Sequence, residues 1–397
     1  MPLFFPFCRE RWFVLLFTLI ALLVAGRSYG AGEWTGALQT LSRVDAGRAT
    51  QADAQTAWQV VAAQGTAEQI PTILAAMRDV GPLAENWLRA AVDTIAERQL
   101  QANGSLPIER LEVFVLDKTQ PPRGRRIAYE WLAKVDATIP ERLLPQMLDD
   151  PSLELRYDAI ERLLAKAKKS SDLPTESVES YRFEKYQRVE KYQRALRSAR
   201  DKSQLRRCAE ALKELGKAPN MAEQMGFLTA WKVIGPFDNT GRSGFDNVYP
   251  PEHKVDFDAV HKGKSGPVKW TDAVAEPEDL DEIGKVDLNK ALGEEKSVLA
   301  YAVATFVAVK NLQVECRYET LEATKLWVNG EQLAARNIYH SGGGLDQYIV
   351  SCRLHRGENQ ILIKVCQNEQ TESWTKPWDF RLRVTDKLGG AVALVKE

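Results

Sequence analysis

The residues best suited to chemistry lie in two stretches of the C-terminal half. Positions 368–378 read Asn-Glu-Gln-Thr-Glu-Ser-Trp-Thr-Lys-Pro-Trp, combining the planar amides of Asn368 and Gln370 with two carboxylates and the indoles of Trp374 and Trp378. Sugars are held by apolar stacking on aromatic faces together with amide and carboxylate hydrogen bonds, so this composition suits carbohydrate recognition. Tyr339, His340 and Asp346 form the second stretch. These seven residues are the candidate ligand contacts, and packing is the competing role for each. The two stretches can act together only if the fold brings them to one rim.

Catalytic signatures are sparse. His340-Ser341-Gly342-Gly343-Gly344 resembles an oxyanion-hole loop, but no Gly-x-Ser-x-Gly elbow supplies a nucleophile, and a flexible loop is expected instead. Gly263-Lys264-Ser265 ends like a phosphate loop, yet Asp258 stands where the earlier glycine belongs. His253, His261, His340 and His355 are scattered, without the helical spacing that holds zinc. The acidic run Glu276, Glu278, Asp279, Asp281 and Glu282 has the hard oxygens calcium takes, but Ile283 and Lys290 occupy positions where a calcium loop of the EF-hand type needs ligands. A solvated loop is expected, with no cofactor assigned and structural calcium left open. A glycosidase needs two carboxylates roughly 5–10 Å apart across a cleft, and the chain offers no large catalytic scaffold. No catalytic residue is assigned, and a non-enzyme is expected.

The bulk properties narrow the class. A chain of 397 residues has room for two or three domains with full cores. With 53 basic against 54 acidic side chains the net charge is -1, which leaves no electrostatic footprint for nucleic acid. Arg9 and Arg11 precede an apolar run at 12–26 and small residues at Ser28, Gly30 and Ala31. That order predicts a secretory signal peptide over 1–31, cleaved after Gly30 or Ala31, and hence a periplasmic or extracellular protein. The competing reading is an uncleaved membrane anchor, although about 15 apolar residues fall short of the roughly 20 a spanning helix needs. Beyond Cys8 the cysteines are Cys208, Cys316, Cys352 and Cys366, too few for a disulfide scaffold. If Arg356 and Gly357 centre a turn between neighbouring strands, Val350 faces Ile363 and Cys352 faces Ile361, which sends Cys366 to the other side. Cys316 with Cys352 is then the only bridge to entertain, and buried free thiols are the expected state.

These residues must be positioned by two kinds of element. From 51 to 169 apolar residues recur at helical spacing: Ile70, Ile73, Leu74 and Met77; Leu88, Ala91, Val92 and Ile95; Leu111, Phe114 and Val115; Ile127, Trp131 and Leu132; then Leu155, Ala159, Ile160 and Leu164. Gly81-Pro82, Pro121-Pro122 and Asp149-Asp150-Pro151 mark the breaks. Steps of 37 and 31 residues separate Ala91, Ala128 and Ala159, close to the period of two-helix solenoid units, with a generic helical bundle as the alternative. The tract 177–217 is highly charged and predicts a solvated connecting helix followed by a second that ends near Gly216. Strand signals begin at 231–237 and return at 298–309, 312–320, 324–328, 332–335, 348–354, 360–367 and 378–385. Asn329-Gly330 predicts a two-residue turn of type I′, pairing Val328 with Glu331 and Leu326 with Leu333. Antiparallel strands without intervening helices indicate a sandwich or jelly roll.

Two resemblances follow from these residues. The stretch Asp150-Pro151-Ser152-Leu153-Glu154-Leu155-Arg156-Tyr157-Asp158-Ala159-Ile160 resembles the second helix of a HEAT repeat, and about three degenerate units cover the helical part. The tract 231–386, through Lys325-Leu326-Trp327-Val328-Asn329-Gly330, Ile361-Leu362-Ile363-Lys364-Val365 and Trp378-Asp379-Phe380-Arg381-Leu382, is similar to galactose-binding-like jelly rolls. Its lead-in Ile234-Gly235-Pro236-Phe237-Asp238-Asn239 resembles that of such modules in uncharacterised exported bacterial proteins. The expected organisation is a signal peptide (1–31), a HEAT-like all-α region (32–169), a charged helical connector (170–226) and an all-β sandwich (227–397). The resemblance implies an exported binding protein whose sandwich recognises a glycan or cell-surface ligand, while the helical array positions it or grips an envelope protein. The alternatives are a protein-interaction scaffold with a purely structural sandwich and an accessory subunit of a polysaccharide hydrolase. Membrane contact is expected only if the leader stays uncleaved.

Overall fold

The computed structural model describes residues 31–44, 50–169, 177–276 and 281–395, so the expected leader up to residue 30, and the acids Glu278 and Asp279, lie outside the described residues. Among the described residues no helix is long and apolar enough to cross a membrane. The chain divides into two compact units between Leu143 and Leu144. The first holds helices α1 (Ala31–Leu41), α2 (Gln51–Gln64), α3 (Ile70–Ala75), α4 (Pro82–Gln101), α5 (Ile108–Leu116), α6 (Pro122–Val135) and α7 (Ile139–Leu143). Local chemistry sets their ends. Thr50 and Asp53 form a reciprocal capping box at the start of α2, and prolines open α4 and α6, where a missing N–H costs nothing. The apolar stripes are buried: Leu88, Ala91, Val92 and Ile95 on α4, Leu111, Phe114 and Val115 on α5, and Ile127, Ala128 and Leu132 on α6. At Gly124 a Cβ would stand 2.6 Å from the Leu74 carbonyl oxygen, so glycine lets α6 approach the end of α3.

The second unit opens with α8 (Leu153–Lys169), α9 (Val178–Ser198), α10 (Lys202–Glu214) and α11 (Met221–Met225). The first half of α9 is exposed, as its charge predicts, whereas Tyr192, Ala195 and Leu196 are buried where its last turns pack on α8 and α10. The strands follow: β1 (Ala230–Asp238), β2 (Val260–Lys262), β3 (Pro267–Lys269), β4 (Thr271–Val274), β5 (Lys285–Asp287), β6 (Val298–Ala308), β7 (Leu312–Glu319), β8 (Ala323–Val328), β9 (Glu331–Arg336), β10 (Tyr348–Leu354), β11 (Gly357–Cys366), β12 (Asp379–Thr385) and β13 (Leu394–Val395). They pair antiparallel in a large sheet of order β4-β1-β6-β11-β8-β9, with β13 on β6, a smaller sheet of order β10-β7-β12-β5 and a separate β2-β3 pair. A helical region followed by antiparallel sheets is therefore the architecture.

Both faces of the large sheet are covered. Its inner face, with Val233, Phe306, Leu326, Ile361, Ile363 and Val365, shares one core with Val314, Tyr318, Leu354, Phe380, Leu382 and Val384 of the smaller sheet. Its outer face, with Phe237, Tyr301, Trp327, Leu362 and Cys366, packs under Phe245, Val268, Trp270 and Tyr249 from the segment between β1 and β4. Hence β6 and β11 are buried almost continuously rather than on alternate residues.

Two register expectations need correction. Val328 faces Glu331 across the Asn329-Gly330 turn, whose residues both adopt positive φ, but a bulge at Leu333, opposite the Leu326–Trp327 step, sets Leu326 against Ala334 instead of Leu333. More substantially, β10 and β11 are not neighbours: β10 pairs with β7, while β11 lies between β6 and β8, because the chain crosses from one sheet to the other at His355-Arg356. Cys208, Cys316, Cys352 and Cys366 are free, with the thiols of Cys316 and Cys352 side by side at 3.5 Å in the core.

One buried cation organises the outer face. Lys364 on β11 has a fully buried side chain and donates to the carbonyls of Phe245 and Asn247 and to Glu252 at 3.1, 2.7 and 2.9 Å. Tyr301 also donates to Glu252, so the carboxylate is shared between two strands. Breaking a buried pair leaves an uncompensated charge, and Glu252→Ala is expected to cost about 3–5 kcal/mol. The double replacement Glu252→Leu with Lys364→Met should cost clearly less. Urea unfolding of the single and double variants checks this, and equal losses would mean that packing rather than charge sets the value of the pair.

Candidate ligand-binding rim

At one end of the large sheet the backbone sews several loops together. Beyond β1, Asn239 donates its N–H to the Ser297 carbonyl at 2.8 Å; Ser297, just before β6, donates to the Asn368 carbonyl at 2.9 Å; Gln367, just after β11, donates to Val298 at 2.7 Å. Cys366 pairs with Ala323 at the head of β8, and the N–H of His340, beyond β9, donates to the Leu321 carbonyl at 2.5 Å. The segments around Asn239, Ser297, Glu322, His340 and Gln367 thus lie side by side. The two stretches singled out in the sequence meet here.

Their aromatic side chains touch. The His340 ring stands edge-to-face on Trp374, centroids 5.2 Å apart with planes at 79°, and the Tyr339 ring lies 6.4 Å from His340. Trp374 is 59% exposed and offers its indole to solvent. The Arg242 guanidinium sits 5.2 Å from the Tyr339 ring centre and is held by Glu369 at 2.8 Å. Asn239 donates its amide to the Tyr339 oxygen at 3.2 Å and to the Gln367 carbonyl at 2.9 Å. Burial pushes the Tyr339 hydroxyl up to about 12, so it stays protonated.

The same segments carry buried polar atoms without partners. Glu322 is 1% exposed and neither of its carboxylate oxygens is hydrogen-bonded. Burial raises its pKa to about 8, with Lys296 pulling the other way and Asp379 adding to the rise. Lys296 donates to the Thr375 carbonyl at 2.8 Å, and burial lowers its own pKa while Glu322 opposes that. Both ring nitrogens of His340 and the Oδ1 of Asn239 are likewise buried and unpaired. Desolvated polar groups without partners are uncommon in folded proteins and each calls for an explanation, a ligand among them; others occur away from the rim, at Trp58, Trp87 and Tyr318 for example.

The remaining candidates divide differently. Trp378 is fully buried in the core between the sheets, donating from Nε1 to the Val365 carbonyl at 3.3 Å, so its ring faces no ligand and its expected contact role is corrected to packing. Asp346 lies away from the rim. Its carboxylate accepts from Arg317 at 2.8 Å and from Arg383 at 2.7 and 2.5 Å, which pins the far end of the β9–β10 loop to the outer side of the smaller sheet. Asn368 is buried and exchanges hydrogen bonds with Gln370, amide to Oε1 at 2.9 Å and Oδ1 from the Gln370 N–H at 3.1 Å, which braces the loop that carries Trp374. Sequence reasoning missed Glu322, Asn239, Lys296 and Arg242. The one local signal was a carboxylate heading the apolar strand Ala323–Val328. In the acidic run Asp281 is paired with Lys202 and Arg206, and Glu282 with Lys285. Among the described residues no group of three or more potential ligands is placed to hold a metal ion.

No family model matches the chain, and no curated protein matches it. Among solved structures, two of a β-glucosidase from Kluyveromyces marxianus align with it, a selenomethionine-labelled form at 9% identity and a glucose complex at 11%, each with a TM-score of 0.24. The alignments cover 44% and 46% of this chain and 21% of the glucosidase, so the match spans about a fifth of that enzyme. A likeness of that size bears on neither fold nor activity.

The buried carboxyl has a measurable signature. In the fold Glu322 stays protonated up to about pH 8, whereas the unfolded chain ionises near the ordinary value of 4.5. Between those limits the folded state holds a proton the unfolded state lacks, so stability falls as pH rises, by about 1.4 kcal/mol per unit. Asp379, raised to about 6 chiefly by burial, adds in the same direction at the acid end. Glu322→Gln should remove only its own part, so the difference in unfolding free energy between wild type and variant should vary with that slope from pH 5 to pH 8. A difference independent of pH would show that Glu322 is solvated or paired in solution.

Proposed function

We propose that the β region is a glycan-recognition module, and that the chain is a non-enzymatic binding protein acting outside the cytoplasm. The observation that carries this is the meeting of Tyr339, His340 and exposed Trp374 on one rim above unpaired polar atoms. An exposed indole supplies the face on which a sugar ring stacks, and the polar floor supplies orientation. The two facing antiparallel sheets, with loops gathered at a strand-end rim, support the galactose-binding-like jelly-roll reading.

The helical part reads as a degenerate HEAT-like array that positions this module. Arg125 and Arg156 support that reading: each is the fourth residue of its helix, and each donates from Nε to an upstream backbone carbonyl, Val115 at 2.6 Å and Asp150 at 2.8 Å. Their separation repeats the step between Ala128 and Ala159. A second role, protein contact, draws on the exposed apolar side chains of Val178, Tyr181, Phe183 and Tyr186 along α9.

A glycan array probed with the full chain tests the main reading. Trp374→Ala should weaken binding roughly tenfold or more through loss of stacking while leaving the melting temperature within about a degree or two, as for other exposed positions. Trp378→Ala should instead cost about 3–5 kcal/mol of stability, as expected for a core aromatic. Absence of binding to every glycan, or binding indifferent to Trp374→Ala, would remove the proposal.

A further inference from the structure

The rim has a floor as well as a face, and the floor is selective. Glu322, Asn239 and His340 come from three separate loops, and each buries polar atoms that nothing in the protein satisfies. Three of those atoms are oxygens, the two of Glu322 and Oδ1 of Asn239, so the floor is rich in acceptors. An anion is unsuited to it. A cation is also disfavoured, because the ammonium of Lys296 already faces Glu322 and the Arg242 guanidinium stands over Tyr339. Neutral donors remain, and a hydroxyl both donates to oxygen and accepts from nitrogen.

We propose that Glu322 is the acceptor of a hydroxyl-binding subsite, its carboxylate taking two adjacent hydroxyls of a neutral sugar while Asn239 and His340 orient the ring edge and Trp374 covers its face. This rests on the reading of the rim as a glycan site and names the chemistry that the site selects. At the rim the His340 ring meets the exposed Trp374 indole edge-to-face. His340 is followed by Ser341-Gly342-Gly343-Gly344; a Cβ at Gly342 or Gly344 would meet nothing within 4 Å, whereas one at Gly343 would stand 2.9 Å from Glu319 Oε1, and Ser341 is hydrogen-bonded to Gln347 and Tyr348.

Binding must then be coupled to a proton. The groups whose charge acts on or responds to Glu322 are Lys296 before β6, Asp379 at the start of β12, Tyr339 beyond β9 and Cys366 at the end of β11. Of these Tyr339 and Cys366 are protonated below about pH 10, since burial raises both to about 12, and Asp379 titrates near 6. Accepting one hydroxyl on each oxygen takes the ionised form, because a protonated oxygen donates instead, so affinity should rise between pH 6 and pH 8 and a sugar bound in this way should expel about one proton at pH 7.

The test uses the full chain and methyl hexopyranosides of gluco, manno and galacto configuration, with their monodeoxy counterparts, by titration calorimetry in two buffers of different ionisation enthalpy. Expected are binding by at least one glycoside, release of about one proton at pH 7, and roughly 10- to 100-fold weaker binding of the deoxy analogue that lacks either contacted hydroxyl. Glu322→Gln should lose a similar factor and abolish proton release. The proton count is measured on the wild type and needs no variant. Binding that depends on Trp374 but releases no proton and tolerates Glu322→Gln overturns the subsite and leaves the glycan reading standing. No Trp374-dependent binding by any glycoside, together with a blank glycan array, removes both.

Discussion

The ladder that joins β6 to β11 over its whole length, from Gly357 opposite Ala308 to Cys366 opposite Leu299, is the constraint on which the rest of the β region depends. It lies at the centre of the large sheet, flanked by β1 and β8, and is buried on both faces. Backbone groups so removed from water must all be paired, which fixes register residue by residue. A slip of one position would turn Lys364 into the inner core and expose Ile363 to the polar partners of the outer face. Because register is fixed, so is the line along which the strands end, and the loops beyond that line start side by side.

Two charged side chains near that ladder show opposite solutions to burial. Lys364 is fully buried and fully satisfied, with Glu252 and two carbonyls as partners. Glu322, at the head of the neighbouring strand, is equally buried and has none. The first arrangement stabilises the cover over the outer face. The second costs stability increasingly as pH rises from the ordinary carboxyl value of 4.5 towards 8, and under the proposed reading the group is kept for a ligand. His340 and Asn239 share that condition on adjacent loops, beside the exposed indole of Trp374.

Much of the fold was legible in advance. Strand positions followed from alternation and turn chemistry, and the hairpin at Asn329-Gly330 followed from the tolerance of those residues for positive φ. Helix starts at Pro82 and Pro122 followed from the same local logic. What misled was adjacency. A short connection at Arg356 reads as a hairpin, yet it carries the chain between sheets, and no local signal separates the two outcomes. The bulge at Leu333 was hidden for the same reason, since one extra residue on a strand is visible only against its partner.

Of the candidate site, the amino-acid sequence by itself determined which side chains are capable of stacking on or bonding to a sugar, and that Tyr339, His340 and Trp374 stand on loops between strands. Only the tertiary structure decided that these loops share a rim, that Trp378 is spent on the core, that Asp346 is clasped by Arg317 and Arg383, and that Glu322 has lost both water and partners. The reason is physical. Propensity and periodicity act between residues a few positions apart, whereas desolvation is set by contacts such as that of Asn239 with Gln367, 128 positions along the chain.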